Sequence, residues 1–446
     1  MQRRTLITNA ILVNEGQTFR GSVLIENEHI ERIIADGDAT PSVAADQTIS
    51  AEGCYLLPGV IDEHVHFRDP GFPHKASIRT ESAAAAAGGV TTYLDMPNTL
   101  PQTTTEEAFA DKLDRAAHES IVNYGFFFGA TRDNTQLLPR LNPHRVAGVK
   151  LFMGASTGNM LVDDDESLEN IFEHCRLPLM VHCEDSAAID RNMAQAQQQY
   201  GIDPPVALHS AIRSEEVCYT STKKAVDLAR RFSTRLHVAH VSTAKELSLF
   251  SPADATITAE ACLPHLLFTE ADYPRLATRI KCNPSVKTAA DRDALRRALS
   301  DGRIATIATD HAPHALREKV GGAARAASGM PMVQFSLPAM LDLVDEGVLT
   351  IERLVQLMCH APAQIFQIEG RGFLREGYKA DLVVVRPHTP WTLTPNRIQS
   401  LCNWSPLEGH TFRWRIERTF CNGFLIFNHG CITNEAFRGQ PVTFER

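Results

Sequence analysis

His64 and His66 lie two positions apart at the end of an apolar run, Leu56-Leu57-Pro58-Gly59-Val60-Ile61-Asp62. Residues i and i+2 of a strand point the same way, so both imidazoles can reach one metal ion. Four later apolar stretches also end in a group that could serve a metal centre: Lys150 after Gly148-Val149, His182 after Leu179-Met180-Val181, His240 after Leu236-His237-Val238-Ala239, and Asp310 after Ile307-Ala308-Thr309. Together the segments predict one centre assembled from five strands.

Imidazoles with a carboxylate suit Zn²⁺ as the default, and Mn²⁺, Co²⁺ or Fe²⁺ could occupy the same groups. Four histidines exceed what one catalytic zinc with an open position takes, so the economical assignment is two ions about 3.5–4 Å apart. His64, His66 and Asp310 would hold one, and His182 and His240 the other. Lys150 cannot ligate as an ammonium. Buried near two dications it would lose its proton, and the neutral amine could add CO₂ to become a carbamate that bridges both ions. A water shared by the ions would be acidified toward a pKa of about 7. Most of the 18 histidines must do something else. His237 shows the ambiguity, and a lone lysine at a strand end is more often a salt bridge or a phosphate contact.

Such a centre needs a scaffold that brings distant segments together. Eight apolar strand candidates alternate with helix-like stretches: Gly59 to Asp62, Val90 to Asp95, Tyr124 to Gly129, Val146 to Phe152, Pro178 to His182, Leu236 to His240, Thr256 to Cys262 and Ile304 to Thr309. Parallel βα units in that number predict a (β/α)₈ barrel, in which functional groups come from the C-terminal strand ends. Ser221 to Phe232 places Ala225, Leu228, Ala229 and Phe232 on one helical face, with a Ser/Thr start. Both chain ends read differently. Leu6 to Val13, Gly21 to Glu26 and His29 to Ile34 are strands, as are Asp381 to Val385 and a hairpin turning at Asn422-Gly423. The expected division is therefore residues 1–56 and 373–446 in a small β-sandwich-like domain, with the barrel over 57–372. The small-residue stretch Gly321 to Gly329 reads as a mobile loop.

Composition narrows the function classes. With 44 basic against 53 acidic side chains, a formal charge of −9 and no basic run, nucleic acid is a poor partner. Ten scattered cysteines without a C-x-x-C pair suggest reduced thiols and a cytoplasmic setting. The N-terminus loses its apolar character at Thr8, Asn9 and Asn14, so it reads as neither signal peptide nor span, and no apolar run reaches the roughly 18 residues of a membrane span.

The motifs Pro58-Gly59-Val60-Ile61-Asp62-Glu63-His64-Val65-His66, Val181-His182-Cys183-Glu184, His237-Val238-Ala239-His240-Val241-Ser242 and Thr309-Asp310-His311-Ala312-Pro313-His314 give the chain a resemblance to the amidohydrolase superfamily. Within it the chain is most similar to the cyclic-amide hydrolases, which are dihydroorotases, hydantoinases and allantoinases. The resemblance covers nearly the whole length. It implies that Lys150 is carboxylated and bridges two zinc ions, and that a homodimer acts on a small-molecule substrate. Phe67-Arg68-Asp69-Pro70-Gly71-Phe72 follows the histidine pair, and similar dihydroorotases use this arginine, with groups matching Asn98 and His314, to hold a substrate carboxylate. A planar guanidinium fork suits that task, against the competing reading of a surface salt bridge from Arg68 to Asp69 or Glu63. The resemblance therefore implies interconversion of dihydroorotate and N-carbamoyl-aspartate in pyrimidine synthesis, with Asp310 as both ligand and proton shuttle. The alternatives are a hydantoinase or allantoinase lacking the carboxylate contact, and a non-catalytic scaffold subunit. One departure is Gln334, where many relatives carry glutamate, which leaves loop hydrogen bonding and substrate preference open.

Overall fold

Strands covered on both faces are mainly apolar, and eight such segments form a parallel ring in the computed structural model, which describes residues 3–37, 44–154 and 160–446. Barrel strands 1 (Val60–Val65), 2 (Val90–Asp95), 3 (Asn123–Gly129), 4 (Gly148–Met153), 5 (Leu179–Cys183), 6 (Leu236–Val238) and 8 (Thr306–Ala308) are buried at every residue. Strand 7 (Ile257–Cys262) leaves only Thr258 partly exposed. They pair in parallel in chain order. Between strands 8 and 1 the ring is closed by a bridge from Val65 to His311, where the His66 N–H donates to the His311 carbonyl at 2.7 Å. All eight expected strands are present, and the architecture is a (β/α)₈ barrel. Ile61, Leu94, Phe127, Ala147 and Met180 pack with Phe366, Phe373 and Phe444 in one buried cluster.

Helices Ile78–Ala87, Glu106–Glu119, Asp165–His174, Glu215–Phe232 and Ala289–Asp301 cover the outside. The fourth of these corrects an expectation. It begins six residues before Ser221, after Ser214 in extended backbone, and Ser221 and Thr222 are buried within it. Glu215 and Glu216 in the first turn and Arg230 and Arg231 in the last match the helix dipole, a charge pattern that outweighs a Ser/Thr pair as a boundary signal here.

The two chain ends meet in one nine-stranded sheet. Its seam is Tyr55–Pro58, parallel to the first strand (Arg4–Asn14) and antiparallel to Leu382–Arg386. The Asn422-Gly423 turn has φ of 47° and 74°, the two positive values of a type I′ hairpin. Residues 321–329 are less free than their composition suggests. The Asp203 carboxylate accepts from the Gly322, Ala324 and Arg325 amides, and the buried Lys319 ammonium donates to the carbonyls of Lys281, Ala327 and Gly329 at 3.0, 2.6 and 2.7 Å. Charged side chains from outside the stretch pin it, which local composition does not reveal.

Candidate metal centre and active site

His64, His66, Lys150, His182, His240 and Asp310 all line one cavity of about 450 Å³ at the C-terminal ends of the strands. His66 Nε2 lies 3.1 Å and His64 Nε2 3.5 Å from Asp310 Oδ1. His182 Nδ1 faces His240 Nε2 at 2.9 Å. The structure thus brings the sequence-derived residues together as a triad and a facing pair. Arg68, His240 and Asp310 take positive φ of 64°, 39° and 46°, a backbone conformation costing on the order of 1–3 kcal/mol each and characteristic of functional sites.

The outer nitrogens of His64, His66 and His182 are engaged, while His240 Nδ1 is buried without a hydrogen-bond partner among the described residues. His64 Nδ1 donates to Glu260 at 2.8 Å, His66 Nδ1 to the Asn98 carbonyl at 2.7 Å, and His182 Nε2 to Glu184 at 2.9 Å, which also takes Arg213. Those protons leave His64 Nε2, His66 Nε2 and His182 Nδ1 as bare lone pairs. Lone pairs converging with the Asp310 carboxylate are favourable only with a cation among them, so the donor set fits a metal. Burial brings His66 down to about 4 and lowers His182, so both are neutral, as ligands must be. Burial alone would raise the Asp310 carboxyl, but His64 and His66 hold it well below the usual carboxylate range. Lys150 Nζ is buried without a hydrogen-bond partner, and burial lowers it to about 8 despite Glu260 and Asp310. Burial thus brings the free amine, the nucleophilic form, much closer to neutral pH than it is for an exposed lysine.

The carboxylate-binding candidates lie on one side of the cavity. Arg68 is buried and pairs with neither Asp69 nor Glu63. Its Nε donates to the Pro313 carbonyl at 3.3 Å, and Nη2 lies 3.2 Å from His314 Nε2. Lys75 donates to His314 Nδ1 at 3.1 Å, which places the ring proton on Nε2, where it reaches the Ser328 carbonyl at 3.0 Å. With that nitrogen protonated, Nη2 has no acceptor there and the guanidinium fork stays open to a ligand. Burial, Arg68 and Lys75 all push His314 down, keeping it neutral. Asn98 accepts from His66 through its side-chain oxygen, so its amide N–H groups are not used in that bond.

Sequence reasoning missed Glu260, Glu184 and Arg213. Glu260 sits in barrel strand 7 and also accepts the His240 backbone N–H at 2.8 Å, tying three strands together. An acidic residue inside an apolar strand was the available signal. Gln334 faces away from the site. Its amide donates to the Arg397 carbonyl at 2.6 Å and accepts from the Gln399 N–H at 2.8 Å, so its loop bonds are settled and it does not touch the active-site cavity.

Behind Asp310, Glu81 is fully buried and accepts from His311 Nε2 at 2.8 Å, Ser400 Oγ at 2.5 Å and the Leu401 N–H at 3.1 Å. His311 Nδ1 in turn accepts the Met332 and Val333 amides. Glu81→Ala leaves these donors without an acceptor and is expected to cost about 3–5 kcal/mol, since each orphaned buried group costs about 1–3 kcal/mol. Urea unfolding of the variant measures this, and a loss below about 1 kcal/mol would show that water replaces the carboxylate.

A (β/α)₈ barrel whose strand ends gather bare imidazole lone pairs and a carboxylate around one cavity defines a metal-type hydrolase site. Residues 55–425 match the amidohydrolase family, and the chain belongs to it. A dihydroorotase of Halobacterium salinarum is 36% identical over 387 residues, 85% of this chain and 88% of that protein. An allantoinase of Bacillus velezensis is 30% identical, with 95% and 94% covered. The solved L-hydantoinase (dihydropyrimidinase) of Arthrobacter aurescens superposes with a TM-score of 0.93 at 28% identity, covering 99% of this chain and 100% of that one. The chain is an enzyme, a hydrolase acting on cyclic amides. Its family is typically metal-dependent, and among the described residues His64, His66 and Asp310 form a group able to hold an ion. No helix of the described chain is long and apolar enough to cross a membrane.

Proposed function

We propose that this chain catalyses the reversible hydrolysis of dihydroorotate to N-carbamoyl-aspartate. The observation that carries the reading is the open guanidinium fork of buried Arg68 on the wall of the metal-ligand cavity, backed by neutral His314. A ring substrate with a carboxylate satisfies that fork; one without leaves a buried cation unpaired.

In this reading His64, His66 and Asp310 would hold one zinc ion and His182 and His240 a second, and Lys150, as a carbamate, would serve both. Bound divalent ions supply Lewis acidity toward the scissile carbonyl and an acidified water. The chain's own groups do the rest. Arg68 takes the substrate carboxylate in bidentate fashion. Asn98 fixes His66 through its carbonyl while its N–H groups turn to the same carboxylate, and His314 can exchange its bond to Ser328 for one to substrate. Asp310 accepts the proton of the attacking water and delivers it to the departing ring nitrogen, so one residue serves both proton transfers.

Ultraviolet-monitored hydrolysis of L-dihydroorotate by the purified protein, with and without a chelator, tests the proposal. Turnover that disappears with chelator and returns with zinc is expected. Arg68→Ala should raise KM for dihydroorotate about 10- to 150-fold, the equivalent of a lost charged hydrogen-bond pair of about 1.5–3 kcal/mol, with metal content unchanged. The allantoinase and hydantoinase similarities favour a second reading, an uncharged cyclic ureide as substrate. Turnover of hydantoin or allantoin without turnover of dihydroorotate would establish it instead. A non-catalytic scaffold is disfavoured because every proposed ligand is present.

A further inference from the structure

We propose that a second cavity, at the seam between the barrel and the terminal sheet, is an effector site for an organic phosphate bearing an aromatic ring. The cavity has a volume of about 360 Å³, and Arg397 and Arg415 line it together with Phe335, Trp391 and Phe427. That volume lies within the roughly 300–1,000 Å³ of small-molecule sites. Arg415 is half-buried and Arg397 is exposed, and neither guanidinium has a carboxylate partner among the described residues. The nearby Glu417 is committed to Arg386 and His429. Two unpaired guanidinium forks on one cavity call for an oxyanion, and phosphate matches their donors. Arg397 itself lies in cation–π range of Trp391, 5.5 Å from the ring centroid, so a ligand ring on that indole would take the place of this contact and free the guanidinium for the phosphate. The aromatic wall would stay wet beside inorganic phosphate, so the complementary ligand is a nucleoside monophosphate or a molecule of the same build.

The wall of the cavity connects to the back of the active site. Gln334 holds Arg397 and Gln399 by their backbones. The next residues, Ser400 and Leu401, bond Glu81, which receives His311 beside Asp310, and Trp404 Nε1 donates to the His314 carbonyl at 2.8 Å. A ligand that shifts residues 397–401 therefore alters the support of Asp310 and His314 without entering their cavity.

The test uses the metal-loaded full chain titrated with uridine 5′-monophosphate, adenosine 5′-monophosphate, uridine and inorganic phosphate, followed by tryptophan fluorescence and calorimetry, with turnover assayed alongside. At least one nucleotide should bind at least about 10-fold more tightly than phosphate or uridine, equivalent to about 1.4 kcal/mol, and change kcat or KM by twofold or more. Arg415→Ala and Arg397→Ala should weaken that binding at least about 10-fold and remove the kinetic effect with basal turnover intact, while Arg68→Ala leaves the binding unchanged. No nucleotide binding at about 1 mM, equal binding to Arg415→Ala, or loss of binding in Arg68→Ala would overturn the site. Binding with no kinetic effect would overturn its effector role.

Discussion

Lys150→Ala is expected to lower kcat/KM at least about 10³-fold and to strip one or both metal ions, because in the proposed centre the anionic bridge between the two imidazole clusters would disappear. Lys150 lies within barrel strand 4 with no exposure and no partner for its Nζ, and burial drops the amine from 10.5 to about 8. An ammonium there is a buried charge without a hydrogen-bond partner, so its proton is held less tightly than on an exposed lysine and the neutral amine is within reach near neutral pH. A carbamate made from it carries two oxygens and one negative charge, which suits a space bounded by two sets of lone pairs. Metal analysis and turnover measured together decide the matter. Added acetate or propionate should restore part of the activity of Lys150→Ala by filling the emptied space with a carboxylate, and apo-protein should regain activity faster when zinc is supplied with bicarbonate. Lys150→Ala that keeps both ions and loses less than about tenfold in kcat/KM would refute the bridge.

The barrel was legible because its signal is redundant. Each strand is short, apolar and bounded by turns, so eight independent segments repeat one pattern, and the Asn422-Gly423 hairpin announces itself by residue type. The ligand candidates were legible for a related reason, since a polar residue closing an apolar run has few reasons to be there. What supports them was not legible. Glu260 reaches back from strand 7 to His64 and to the His240 backbone, and Glu81 reaches His311 across 230 residues of sequence. Such pairings depend on barrel closure, which no local pattern encodes. The same holds for residues 321–329, where composition predicts freedom and Lys319 with Asp203 removes it. The start of the helix Glu215–Phe232 was misplaced because Ser221 and Thr222 resemble a cap but face the interior.

Asp310→Asn is the other change with a large expected effect, a fall in kcat of about 10²–10⁴-fold, the range of a lost general acid–base. The substitution is unusually clean. Asp310 has φ of 46°, and asparagine tolerates the left-handed region at least as well as aspartate, so the backbone gains no strain. The amide keeps the volume and one oxygen toward His66 Nε2, where Oδ1 now lies at 3.1 Å. It cannot accept a proton. The neighbouring His64 and His66 hold the carboxyl below its ordinary range, so the wild-type group is ionised and ready to accept one at neutral pH. If proton transfer is its main contribution, KM for dihydroorotate and bound metal change little while kcat collapses. If Asp310 matters mainly as a ligand, metal content falls in step with kcat and excess zinc restores both. Steady-state kinetics with metal analysis on the same preparation separates the two, and an Asp310→Asn enzyme within about fivefold of wild-type kcat would assign the proton transfers to another group.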